Sequence, residues 1–118
     1  MTKKTQIKKS LTISDSIKSN IEESVLIFNK ENNSNYKFTL KRKYAYFNRG
    51  RGPIFRLEFN GSMDNWNFAI YKYSSDHYDP DEWFFPGSEC VNGTVEGAMK
   101  AGLKAYPDWY SGTYYSAF

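Results

Sequence analysis

Between Ile17 and Phe28 the apolar residues keep to one side of a helical wheel: Ile17, Ile21, Val25 and Phe28 follow at i, i+4, i+8 and i+11, with Glu22 and Glu23 on the opposite side. Ser14 or Asp15 can accept hydrogen bonds from the free amides of a first turn, and Asn32-Asn33-Ser34-Asn35 supplies residues that tolerate the left-handed conformation. The pattern predicts a helix over about residues 15–30. From Tyr36 the period changes to two. Tyr36, Phe38 and Leu40 alternate with Lys37, Thr39 and Lys41, and the alternation runs on less cleanly through Lys43-Tyr44-Ala45-Tyr46-Phe47. Asn48-Arg49-Gly50-Arg51-Gly52-Pro53 is loop chemistry and predicts a hairpin.

Phe55, Leu57 and Phe59 alternate with Arg56 and Glu58 up to a tight-turn signal at Asn60-Gly61, and Trp66, Phe68 and Ile70 mark a third strand over about residues 65–74. Ser75 to Glu82 is polar and reads as a loop, and Trp83-Phe84-Phe85 fits a short fourth strand before Pro86-Gly87. Thr94 caps a second helix, with Val95, Ala98, Met99, Gly102, Leu103 and Tyr106 in helical phase and Pro107 as its stop. Gly102 sits on the apolar side despite a cost of about 1 kcal/mol relative to alanine, which predicts close approach of helix and sheet. The expected fold is α+β in the order α-β-β-β-(β)-α: an antiparallel meander with two helices packed on one face. A one-residue slip would expose the whole apolar set, so Lys37, Lys41, Lys43 and Arg56 are expected on the outward face. Residues 1–13 read as a flexible basic arm, 14–107 as a single domain and 108–118 as an aromatic extension.

A chain of 118 residues suits one domain, and 19% aromatic residues supply a core despite a mean hydropathy of −0.71. No apolar run exceeds four residues, as in Val25–Phe28, so no membrane-spanning helix is expected. The basic N-terminus lacks the apolar stretch of a secretory signal, and one cysteine, Cys90, suits a reducing compartment; a cytoplasmic protein is expected. With one histidine, His77, a zinc site within one chain is not expected.

Charge changes the picture. Residues 1–60 carry thirteen Lys and Arg against five Asp and Glu, and residues 61–118 carry three against eight, beneath a net charge of only +3. Such a split suits a basic surface for nucleic acid or an acidic partner, or a homodimer through opposed basic and acidic faces. The basic residues Lys37, Lys41, Arg42, Lys43, Arg49, Arg51 and Arg56 are interleaved with aromatics, the mixture that neutralises phosphates and stacks on bases. It also suits a solvated edge strand protected from aggregation. Arg49-Gly50-Arg51-Gly52 could clasp a phosphate, although it is no P-loop. Tyr44, Tyr46, Tyr71, Tyr73, Trp109, Tyr110, Tyr114 and Tyr115 exceed what so small a core needs and are candidates for a partner interface.

Asp76, His77, Asp79, Asp81 and Glu82 lack the order of a calcium loop and read as an exposed acidic turn. Cys90 and His77 have no recognisable orienting third residue or oxyanion loop, so no catalytic residue, cofactor or metal is expected. The order of elements, over roughly residues 15–106, resembles the double-stranded RNA-binding domain. That family holds phosphates with a lysine cluster at the start of its second helix, where this chain reads Gly93-Thr94-Val95-Glu96-Gly97. Phe85-Pro86-Gly87 and Gly93-Thr94-Val95-Glu96-Gly97-Ala98 are similar to the strand-to-helix passage of HicB-type antitoxins. The expectation is a small non-catalytic macromolecule-binding protein of a bacterium or phage: a regulator, inhibitor or antitoxin-like protein with a protein partner. The alternative is a nucleic-acid-binding protein using the Lys37–Arg56 surface.

Overall fold

The computed structural model describes residues 12–50 and 52–107. Helix α1, Asp15–Asn32, begins where Ser14 Oγ accepts from the Ile17 amide at 3.3 Å and ends at Asn33 in the left-handed region, φ 52°. Ile21, Val25 and Phe28 form its buried stripe, as the spacing predicts. Asn29 ties its last turn to the sheet: Oδ1 accepts from the Tyr36 amide at 2.9 Å and Nδ2 donates to the Tyr36 carbonyl at 3.0 Å.

Five strands follow, β1 Tyr36–Lys41, β2 Tyr44–Arg49, β3 Gly52–Glu58, β4 Asn67–Lys72 and β5 His77–Asp79, each antiparallel to the next in the order β1-β2-β3-β4-β5. The run from Tyr36 to Arg49 is two strands rather than one. Arg42, at φ 59°, turns the chain where no glycine, asparagine or proline announces it. A bulge beside Phe47/Asn48 lets consecutive residues Ile54 and Phe55 both reach full burial. The polar stretch after β4 is not wholly loop, because Lys72 draws the chain back: its Nζ lies 3.6 Å from Asp79 and 2.9 Å from Glu82, and β5 pairs there. Trp83-Phe84-Phe85 is then no strand; Phe85 is buried while Phe84 is 92% exposed.

A 3₁₀ turn at Ser88–Cys90 leads to helix α2, Val95–Ala105, whose Thr94 cap accepts from the Gly97 amide at 2.9 Å. Both helices cover one face of the sheet. Between them and the strands, phenylalanines stack across the sheet, Phe47 on Phe55 at 4.6 Å and Phe55 on Phe68 at 5.2 Å, and Phe85 from the following loop extends the stack on Phe68 at 5.8 Å. Gly102 makes the close approach expected of it, since a Cβ there would lie 2.7 Å from Ile54 Cγ2 and closer still to Tyr36 Oη. Tyr36 can be buried because its hydroxyl donates to the Met99 carbonyl at 2.8 Å. Among the described residues, no helix is long and apolar enough to cross a membrane.

Candidate interface on the outer sheet face

The face of the sheet turned from the helices carries tyrosine where the inner face carries phenylalanine. In β2 the alternation Tyr44-Ala45-Tyr46-Phe47 places Ala45 and Phe47 in the core, both fully buried, and the two tyrosines outward, half-buried. A phenol ring can cover backbone with its apolar body while its hydroxyl stays wet, which suits an open face. Strand pairing brings Tyr46 opposite Arg56, Arg56 opposite Ala69, and Tyr71 opposite Tyr78.

The rings meet in sequence across the sheet. Tyr44 and Tyr46 are 6.0 Å apart between centroids, Tyr46 and Tyr78 5.5 Å, and Tyr71 and Tyr78 4.9 Å, all edge to face. Arg56 sits among them, its guanidinium carbon 4.7 Å from the Tyr44 ring and 5.5 Å from that of Tyr78. Burial, and then the neighbouring Tyr46, raise the Tyr78 phenol above its ordinary range. Tyr71 is pushed up to about 12, chiefly by the hydrogen bond its hydroxyl donates to Asp76. Both rings are therefore neutral at physiological pH.

Lys37 and Lys41 flank the rings on the outward side of β1, exposed, at positions paired with Asn48 and Tyr44. Among the described residues, neither lysine, nor Arg42 at the turn, nor Arg56 takes part in a salt bridge. Lys43 does, 2.7 Å from Glu58, whose carboxylate raises the lysine and is itself held below its usual range.

Arg49 stands apart from this group. In the sequence it belongs with the surface cations, but it is in phase with Ala45 and Phe47 and lies 1% exposed on the helix side. Its Nη1 donates to the Tyr106 carbonyl at 2.9 Å, and its guanidinium carbon is 5.5 Å from the Tyr36 ring. The phosphate clasp proposed for Arg49 and Arg51 thus loses its first arginine to the core. Tyr73 is at the rim, its hydroxyl donating to Pro53 O at 2.7 Å and its ring 5.6 Å from that of Tyr106. Arg51, Trp109, Tyr110, Tyr114 and Tyr115 lie outside the described residues.

Tyr78 was not legible as a site residue. It sits in Ser-Asp-His-Tyr-Asp-Pro, and only the pairing of β5 with β4 carries it beside Tyr46 and Tyr71. A trace of the signal exists, since one ring between His77 and Asp79 is itself a short alternation. The acidic turn is partly neutralised by Lys72, and among the described residues no group of three or more His, Cys, Asp and Glu is placed to hold a metal ion. Compared with protein families, with curated proteins and with solved structures, the chain matches none.

Proposed function

We propose that this protein is a non-catalytic binding module that docks a macromolecule on the outer face of its sheet. One observation carries the reading: four linked tyrosine rings around Arg56, flanked by lysines that take part in no described salt bridge, form a continuous surface on the side away from both helices. Tyrosine offers large contact area with only two rotatable side-chain bonds, which lowers the entropy lost on association, and Arg56 is held among the rings by its contacts with Tyr44 and Tyr78. Catalysis has no comparable support, because the polar groups of this face do not converge on a nucleophile, a base or an oxyanion cradle. The reading places the protein in the cytoplasm, where the lone thiol of Cys90 stays reduced.

Site-directed photo-crosslinking in the native host tests it. The crosslinking residue benzoylphenylalanine replaces Tyr46 on the outer face or, as control, Lys18, exposed on α1. A discrete adduct from position 46 that is absent from position 18 is expected. No adduct at 46, or the same adducts from both positions, overturns the proposal.

A further inference from the structure

We infer that the macromolecule on this face is a single-stranded nucleic acid, its bases stacked on the Tyr44, Tyr46 and Tyr78 rings and Arg56, and its phosphates on Lys37 and Lys41. The inference rests on the docking proposal above and adds the chemistry of the partner. Three observations carry it.

The first is charge and its placement. Lys37 and Lys41 project from the same side of edge strand β1, four residues apart, a span of about 13 Å at ~3.3 Å per residue. The rings begin on the adjoining strand, where Tyr44 pairs with Lys41. A polyanionic strand laid along β1 would set its backbone over the lysines and turn its bases inward onto the rings. Glu58, opposite Tyr44, is already engaged by Lys43 at 2.7 Å, and Asp76, at the far end of the ring series, accepts from the Tyr71 hydroxyl, so neither carboxylate is paired with Lys37, Lys41 or Arg56.

The second is what the face lacks. The outward positions of the described strands include Thr39, Asn48, Asn67, Ala69 and the Lys43-paired Glu58 beside the tyrosines and cations, but no Leu, Ile, Val, Met or Phe. Tyrosine and arginine are at home in protein-protein interfaces, but lysine is depleted there, so the pair of exposed lysines beside the rings is what sets this face apart from a protein-docking surface. Stacking needs only flat π surfaces, and every base supplies one.

The third is geometry. The cations and rings lie on a sheet, whose breadth of five strands at ~4.8 Å spacing is too great for either groove of an undeformed duplex. The helices that could enter offer little to a polyanion: α1 sets Asp15, Glu22, Glu23 and Glu31 against Lys18 and Lys30, and the two lysines of α2 face carboxylates, Lys100 at 3.8 Å from Glu96 and Lys104 at 3.0 Å from Glu89. A single strand exposes its base faces and needs no groove.

Fluorescence anisotropy with the full chain and labelled DNA and RNA single strands of about a dozen nucleotides, against duplexes of equal length, tests the inference. Single strands should bind about tenfold or more tightly than duplex. Affinity should fall between about 50 and 200 mM salt with a log-log slope near −1.4, about −0.7 for each of the two lysines on phosphate. The double variant Lys37→Gln/Lys41→Gln, at exposed positions that leave the core intact, should bring that slope to about zero. Tyr46→Ala should weaken binding about fivefold to a hundredfold and Tyr46→Phe much less. No binding at the lower salt, a preference for duplex, or a slope unchanged by the lysine substitutions overturns the inference. If position 46 still gives a nuclease-resistant adduct in cells while single strands fail to bind, this inference falls and the docking proposal stands; if position 46 gives no adduct, both fall.

Discussion

Replacement of Gly102 with alanine sets two effects of opposite sign against each other. In an exposed helix the change would gain about 1 kcal/mol of propensity. Here the new Cβ would sit 2.7 Å from Ile54 Cγ2, 3.4 Å from Phe55 Cδ2 and closer than either to Tyr36 Oη. Overpacking of this kind costs about 1–3 kcal/mol. Displacing the Tyr36 hydroxyl from the Met99 carbonyl adds about 1–3 kcal/mol for a buried phenol left without its acceptor. The balance is a net loss of about 1–5 kcal/mol, or a fall in Tm of at least about 4 °C. Urea unfolding followed by circular dichroism of Gly102→Ala, Tyr36→Phe and the double variant forms a cycle. Removing the hydroxyl relieves the closest clash but not that with Ile54, so the double variant should be more stable than the sum of its parts by about 1 kcal/mol or more. A Gly102→Ala protein at least as stable as the parent, or a strictly additive cycle, would refute the close packing of α2 on β1 and β3.

Three further outcomes follow from the same structure. Arg49→Ala should lose about 2–4 kcal/mol in urea unfolding while leaving adduct formation at position 46 unchanged in the folded fraction, since the Arg49 side chain holds the Tyr106 carbonyl within the core. Stability should be intact below pH 10.0 and decline as the pH rises above it: burial holds the Tyr36 phenol protonated well past that value, so the unfolded chain releases its proton first, and Tyr36→Phe should flatten the decline in urea midpoints measured at rising pH. Phe84→Ser should change Tm by no more than about what a surface substitution of ±0.5 kcal/mol produces, because the ring is 92% exposed.

The layout of the fold was legible because burial and period agree along most of the chain. Phe55, Leu57, Phe68 and Ile70 face the helices as the alternation requires, and Ile21, Val25 and Phe28 form the helical stripe. The turn at Arg42 was hidden because an arginine adopts a backbone conformation that sequence signals assign to glycine or asparagine. β5 was hidden because it is three residues long with a single ring, Tyr78, which packs on Tyr71 and Tyr46, and because the contacts of Lys72 with Asp79 and Glu82 join residues far apart in a stretch that reads as a polar loop. Arg49 shows phase overruling composition: it shares the parity of Ala45 and Phe47, and that parity places it in the core even though its neighbours read as a basic loop. The outer face was half legible. Tyr44, Tyr46, Tyr71 and Arg56 follow from alternation, whereas the closing of the ring series through Tyr78 depends on the pairing of a strand only three residues long, whose single alternation is too short to announce it.

The most direct measurement of where a partner sits is an amide chemical-shift map of the isotope-labelled full chain, titrated with a single-stranded oligonucleotide at low salt. Perturbations should concentrate on the outward residues of β1 and β2, on Arg56 and Ala69, and on Tyr71 and Tyr78, while α1 and α2 stay still. Shifts confined to the helices, or none at saturating oligonucleotide, would contradict the claim that the tyrosine face with Arg56 at its centre is the binding surface.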